Sequence, residues 1–232
     1  MPTWIRSILV YNSYYRKARH EMKIGILGSG AVAQTLGAAW AKKHDIFIGA
    51  RNPYKPTLVD WQKTIGSNVQ VGSLQEAAAF GEVILLAIRP WEEIQGVIKP
   101  LTHELNNKTI IDVNNNIEFE KLPKLAFTQK SMGESIQSWL QESHIVKTLN
   151  IVPAPMMVNP IQSGIVPAIG WVSGNSADAK QQVTGLLQDL GWESVVDLGD
   201  IHKSLLQENI GLTLSIIVSG IMAQKADALI KG

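Results

Sequence analysis

The chain has no cysteine. That excludes disulfides, thiolate metal sites and a cysteine nucleophile, and it suits a reducing compartment such as the cytoplasm. Charge bias is also missing: 21 Lys and Arg stand against 20 Asp and Glu, a net charge of +1. A nucleic-acid partner, which selects for a basic surface, is not expected. The five histidines (His20, His44, His103, His144 and His202) are scattered without metal-ligand spacing. No metal site is expected, and each histidine reads as surface or structural. No secretory signal is visible. Residues 1–21 carry Arg6, Arg16, Lys17 and Arg19, but the apolar run Ile8-Leu9-Val10-Tyr11 is too short for a signal core. A membrane span is not expected either. The apolar stretch Ile210 to Ala223 falls short of the ~20 residues a span needs. It reads as a buried or dimer-interface helix. Internal repeats and low-complexity tracts are absent.

What the chain does have is concentrated in residues 23–51. Ile24, Ile26 and Leu27 form a short apolar run of the kind that suits a buried parallel strand. The run ends at Gly28, which with Gly30 and Ala33 occupies the three special positions of GxGxxG/A. Gly28 permits a tight turn, Gly30 lets a pyrophosphate approach the backbone, and Ala33 lets the helix pack closely on the strand. The helix is expected from Ala31 to Lys43, with its free N–H groups and dipole aimed at the phosphates. Gly28, Ser29, Gly30, Ala31 and Val32 are therefore the expected phosphate contacts.

A second strand runs from Asp45 to Ile48. NAD-binding domains place Asp or Glu about 20 residues after the first glycine, to hold the ribose 2′-hydroxyl. Here that position is Gly49, and Ala50-Arg51-Asn52 follow. A carboxylate would repel a 2′-phosphate, whereas a guanidinium binds one with paired charge-assisted bonds. This favours NADP(H) over NAD(H), with Ala50, Arg51 and Asn52 at the turn and Lys55 adding charge.

Further along, a helix is expected around Thr57–Ile65, a third strand at Val69–Val71, and a helix capped by Ser73 with Glu76 at the capping-box position. Glu82–Ile88 reads as a central strand that ends at Arg89-Pro90-Trp91. A fifth strand, Thr109–Val113, leads into Asn114-Asn115-Asn116. Residues 117–133 read as an irregular connection, Ser135–Ser143 as a helix, and Ile145–Asn150 as a sixth strand. After Val152-Pro153 come a strand (Ile165–Val172), a helix (Ala177–Leu190), a strand (Glu193–Leu198) and a long helix from about Ile201. The pattern is a Rossmann-type, doubly wound, mainly parallel α/β sheet with a smaller C-terminal α/β part ending in a long helix. Its expected divisions are an N-terminal extension (1–21), a dinucleotide-binding domain (22–152) and a C-terminal part (153–232) suited to dimerisation. Ligands of such sheets bind beyond the carboxyl ends of the strands. Ile88, Arg89, Pro90, Asn114 and Asn150 should therefore line the nicotinamide end. For Asn114 and Asn150, capping of the strand ends is the competing role.

At this point the chain resembles the NADP oxidoreductases that depend on the deazaflavin coenzyme F420. The marks are Ile-Gly-Ile-Leu-Gly-Ser-Gly-Ala-Val-Ala at 24–33, Ile-Gly-Ala-Arg-Asn-Pro at 48–53, Val-Ile-Leu-Leu-Ala-Ile at 83–88, Ile-Ile-Asp-Val-Asn-Asn at 110–115 and Val-Lys-Thr-Leu-Asn at 146–150. Asp197-Leu-Gly-Asp200 with Glu208 downstream is a further mark. The resemblance implies NADPH held by the glycine loop and the Gly-Ala-Arg turn, with Ile88 and Pro90 over the nicotinamide. It also implies a second, flavin-like or deazaflavin substrate. The archaeal deazaflavin enzymes of the family carry histidine where this chain has Asn150 and lack Arg89.

Hydride transfer between two aromatic rings needs little acid–base help. Three readings stay open: an NADPH-dependent oxidoreductase with a small-molecule hydride donor or acceptor, an NADPH-binding or sensing protein without turnover, and a carbonyl or imine reductase. The last needs a proton donor, and Lys147 is the one such residue on the expected edge, where a structural role competes. The C-terminal helix (Ile210, Leu212, Leu214, Ile216, Ile217, Val218, Ile221, Met222) is apolar nearly all round, so a homodimer is expected.

Overall fold

The computed structural model describes residues 21–119, 123–125, 129–160 and 169–231. The expected N-terminal extension lies outside these residues apart from Glu21. A six-stranded parallel sheet forms the centre, in the order β3-β2-β1-β4-β5-β8. Its strands are β1 (Lys23–Leu27), β2 (Asp45–Gly49), β3 (Val69–Gly72), β4 (Val83–Leu86), β5 (Thr109–Asp112) and β8 (His144–Lys147). The chain runs outward from β1 to β3 on one side, returns to β4 beside β1, and continues outward on the other. The switch point therefore falls between β1 and β4, where open α/β sheets bind ligands.

The strands form where apolar runs are bounded by breakers. Val83-Ile84-Leu85-Leu86 is buried along its whole length, as a strand covered on both faces must be. Helix α1 (Ala31–Trp40) turns Ala33, Leu36, Gly37 and Trp40 inward. It stops short of the expected Lys43, because residues 41–43 turn to bring Asp45 into register with Lys23. Helix α2 (Pro56–Ile65) starts on a proline. Helix α3 (Leu74–Phe80) starts on the expected Ser73–Glu76 capping box.

The structure extends the reading between β4 and β5. A 3₁₀ turn (Trp91–Glu93) leads into α4 (Ile94–Ile98) and, after a second turn, α5 (Thr102–Leu105). Two expectations are corrected. Part of the 117–133 connection is an antiparallel pair, β6 (Ile117–Phe119) and β7 (Pro123–Leu125). Helix α6 runs Met132–Trp139 rather than Ser135–Ser143, because Ser131 and Glu134 form a second capping box that sets its start. Short helix α7 (Ala154–Met157) follows β8. The C-terminal part pairs β9 (Ile169–Val172) with β10 (Ser194–Asp197) around α8 (Ala177–Asp189). Residues 165–168, the first half of the expected strand there, lie outside the described residues.

A 3₁₀ turn (Ile201–Lys203) opens into α9, Ser204–Lys231, 28 residues long. The apolar stretch is thus longer than the 14 residues read from sequence. The window Ile201–Ile221 has 21 residues and a mean hydropathy of 1.3, enough by length and composition to cross a membrane. Its first turns are anchored in the body, where Gln207 and Glu208 are buried. Beyond them Ile210, Leu214, Ile216, Ile217, Val218 and Ile221 are exposed.

The apolar core on one face of the sheet is shared by both parts of the chain. Ile26, Ile48, Leu36 and Trp40 pack in one cluster with Val172, Val183 and Leu186. Trp40 Nε1 donates to the Leu186 carbonyl at 3.1 Å. His44 is buried between the Met22 N–H and Asp189, which also pairs with Lys43.

Candidate functional site

The carboxyl ends of β1, β2, β4, β5 and β8 open into one cleft of about 1030 Å³. At one end lies the glycine loop. Gly28 has φ +123°, and a Cβ there would sit 2.1 Å from the Ala87 carbonyl oxygen. Only glycine fits, because the loop crosses directly over the residue that follows β4. At Gly30 a Cβ would meet nothing within 4 Å. Its missing side chain leaves open space against the cleft, the room a pyrophosphate needs. Helix α1 has no side-chain cap and no acidic residue in its first turn. Its N–H groups, with Gly30, Ala31 and Val32 in the lining, face the cleft as an anion site.

At the end of β2, Ala50 and Arg51 line the same cleft. Arg51 pairs with Glu93 at 2.5 Å, and the two side chains are 69% and 39% exposed. Asn52 and Lys55 do not line the cleft. Asn52 shapes the turn by accepting the Tyr54 N–H, and Lys55 is the residue before α2. Ile88, Arg89 and Pro90 line the middle. The Arg89–Pro90 peptide is cis.

The far end is a network of asparagines. Asn114 donates to the Leu86 carbonyl at 2.9 Å and to Asp112 at 3.0 Å, so it closes the ends of β4 and β5 and lines the cleft as well. Asn150 spends both its amide hydrogens, on Asn115 Oδ1 at 2.8 Å and the Gln207 carbonyl at 2.9 Å. Asn115 returns a bond to the Asn150 carbonyl at 2.7 Å. The Oδ1 atom of Asn150 is buried without a partner. A buried amide oxygen left unpaired is costly, and a ligand N–H or O–H would satisfy it. Gly211 of α9 abuts this pair: a Cβ there would sit 3.2 Å from Asn115 Oδ1. Leu214, Ser215 and Val218 continue the α9 wall.

Beneath the asparagines lies a charge cluster. Lys147 Nζ is 2.9 Å from Asp112 and 2.7 Å from Glu208, and all three side chains are fully buried. The ammonium also donates to the Asn114 carbonyl. Glu208 in turn accepts the Met132 N–H at 2.8 Å, which places a carboxylate at the start of α6. Burial works against the Lys147 charge, but Asp112 and Glu208 outweigh it and hold the ammonium above its ordinary value. Burial pushes the Glu208 carboxyl up; Lys147 opposes this and Asp112 adds to it. Lys147 thus takes the structural role. It is sealed away from the cleft and cannot hand a proton to a ligand there.

Every expected contact residue except Asn52 and Lys55 meets in this cleft. Glu93, Asn115 and the α9 wall join them without having been singled out as contacts. Of these, Asn115 carries only its polar run as a sequence cue, and Gly211 to Val218 only an apolar helix of the kind expected at an interface. Among the described residues, no group of His, Asp and Glu is arranged to hold a metal.

A parallel sheet with a glycine turn, an uncapped helix start and an arginine after β2 defines a dinucleotide-binding protein. The family model for NADP oxidoreductase, coenzyme F420-dependent, matches residues 23–116. An F420-dependent NADP reductase of Methanocaldococcus jannaschii is 30% identical over 82% of this chain and 89% of its own. A solved Arthrobacter sp. FB24 protein, described as a candidate F420-dependent NADP reductase, is 31% identical with a TM-score of 0.80, over 87% of this chain and 95% of that one. Metalloreductase STEAP2 of Mus musculus is 27% identical over 88% of this chain, which spans 39% of that relative. The chain belongs to the coenzyme F420-dependent NADP oxidoreductase family, and the protein is an NADP-dependent oxidoreductase.

Proposed function

We propose that this protein transfers hydride between NADP(H) and a flavin-like or deazaflavin partner such as coenzyme F420. The observation that carries the reading is the continuity of the cleft. It runs from the glycine loop, past Pro90 and the asparagines, to the apolar wall of α9. Its volume, about 1030 Å³, is just above the roughly 300–1,000 Å³ of small-molecule sites.

When bound, the nicotinamide supplies or accepts the hydride. The chain's own residues bind and orient. Gly28, Ser29, Gly30, Ala31 and Val32 hold the pyrophosphate, and Ala50 and Arg51 hold the 2′-phosphate. Ile88 and Pro90 give one apolar face, Leu214 and Val218 the other. Asn150, in the cleft lining, would offer its unpaired Oδ1 as an acceptor to a ligand N–H. Burial of Lys147 counts against a carbonyl or imine reductase built on that residue. We also propose that α9 pairs two copies into a homodimer and that the protein works in the cytoplasm.

The test is NADPH oxidation with a panel of flavins and deazaflavins. Turnover with at least one is expected. NADPH binding without turnover across the whole panel would leave a binding or sensing protein instead.

A further inference from the structure

The two loops that flank the glycine turn are tied across the cleft by one ion pair. Arg51 follows β2, and Glu93 sits in the 3₁₀ turn after β4. They are 42 residues apart in the chain and 2.5 Å apart in space, and both line the cleft. Neither is held by burial, since Arg51 is 69% and Glu93 39% exposed. The carboxylate occupies the guanidinium that the proposed function assigns to the 2′-phosphate. A carboxylate and a phosphate seek the same forked donors, and they repel each other when they share them.

We propose that Glu93 is a specificity-tuning residue, a counter-ion built into the site that a 2′-phosphate must displace from Arg51. The inference rests on the reading of Arg51 as the 2′-phosphate ligand. Two consequences follow from the chemistry. A dinucleotide without the phosphate leaves the Arg51–Glu93 pair in place, so NAD(H) binds with the two loops tied. NADP(H) exchanges one ionic contact for another, so its advantage over NAD(H) is smaller than an unpaired arginine would give. The exchange also releases the Glu93 side chain at the rim of the cleft.

The test is a cycle on Arg51 and Glu93, with NADPH and NADH as probes and affinities read by titration of nucleotide fluorescence. Glu93→Gln should tighten NADPH binding about two- to fivefold, the range of an exposed ion pair, and leave NADH within about twofold. In an Arg51→Ala background the same change should shrink to less than about twofold, the weak direct repulsion of carboxylate and phosphate, because no guanidinium remains to compete for. Unchanged or weaker NADPH binding in Glu93→Gln, with Arg51→Ala still costly for NADPH alone, overturns the counter-ion role and leaves the 2′-phosphate reading intact. If Arg51→Ala weakens NADPH and NADH equally, the reading of Arg51 fails and this inference fails with it. Unaltered NADH affinity in Glu93→Gln serves as the check that the site is folded.

Discussion

Lys147 Nζ lies 2.7 Å from Glu208 Oε1, and solvent reaches neither side chain. The contact joins the last residue of β8 to the second turn of α9, 61 residues later. With Asp112 it makes a cluster of three buried charges under the asparagines of the cleft. Replacing such a cluster whole by apolar side chains is often nearly neutral, whereas removing one partner strands the others.

Breaking it from one side should be expensive. Lys147→Met leaves two carboxyl groups facing each other without a cation, and should lower stability by about 3–5 kcal/mol. Denaturant unfolding checks this. A Lys147→Met protein as stable as its parent would mean that Asp112 and Glu208 are satisfied some other way.

The same cluster predicts a pH signature. Glu208 has a folded pKa above its ordinary 4.5. The folded state therefore holds that proton more tightly than the unfolded one. The stabilisation is complete below 4.5 and is lost as pH rises through the raised value. Lys147 adds no slope in this window, because its own raised pKa matters only above the ordinary 10.5. Glu76, held below 4.5 by the Ser73 N–H and hydroxyl, acts in the opposite sense and at lower pH. The thermal midpoint should fall with rising pH just above 4.5, and Glu208→Gln should flatten that segment. Identical profiles for the two proteins would contradict the assignment.

Two glycines of one loop should behave differently. Gly28→Ala places a methyl 2.1 Å from the Ala87 carbonyl oxygen at φ +123°, and should destabilise the fold by about 1–3 kcal/mol or more. Gly30→Ala meets no atom within 4 Å, so stability should stay within about 0.5 kcal/mol. Its NADPH affinity should still fall by about tenfold or more, since the methyl takes the space of the pyrophosphate. Calorimetric melting and nucleotide titration separate the two effects. Equal melting losses would place the loop's constraint elsewhere.

Arg51→Ala should weaken NADPH binding by about 1–3 kcal/mol, the cost of a lost charge-assisted contact, with NADH nearly unchanged. Nucleotide titration decides it. Parallel losses for both would make Arg51 a loop residue of structural use only.

The exposed side chains Ile210, Ile216, Ile217 and Ile221 should be covered by a second copy of α9. Light scattering should give the mass of a dimer, and Ile217→Glu should shift it toward the monomer. A monomeric parent would rule out the pairing.

The outline of the sheet was legible because parallel strands announce themselves. Val83–Leu86 is an unbroken apolar run that ends near a proline, and Ser73–Glu76 states where α3 begins. The helix Met132–Trp139 carries the same cue at Ser131 and Glu134. The hairpin at Ile117–Phe119 and Pro123–Leu125 was not legible, since three residues hold too little alternation to stand out from a loop. Within the site, the residues at strand ends could be placed because parallel strands deliver their carboxyl termini to one edge. The pairings of Arg51 with Glu93 and of Lys147 with Asp112 and Glu208 could not. They join residues 35 to 61 positions apart, and the partners meet only once the strand order and the path of α9 are fixed.

Helix α1 has ten residues, about 15 Å from end to end. Its first N–H groups face the phosphate site. At its other end, the Trp40 indole is fastened to the Leu186 carbonyl of α8. The helix is therefore a strut between the nucleotide and the C-terminal part of the chain. A ligand on the glycine loop stabilises the folded state as a whole by mass action, and α8, which lines no part of the cleft, is held in that state with the rest.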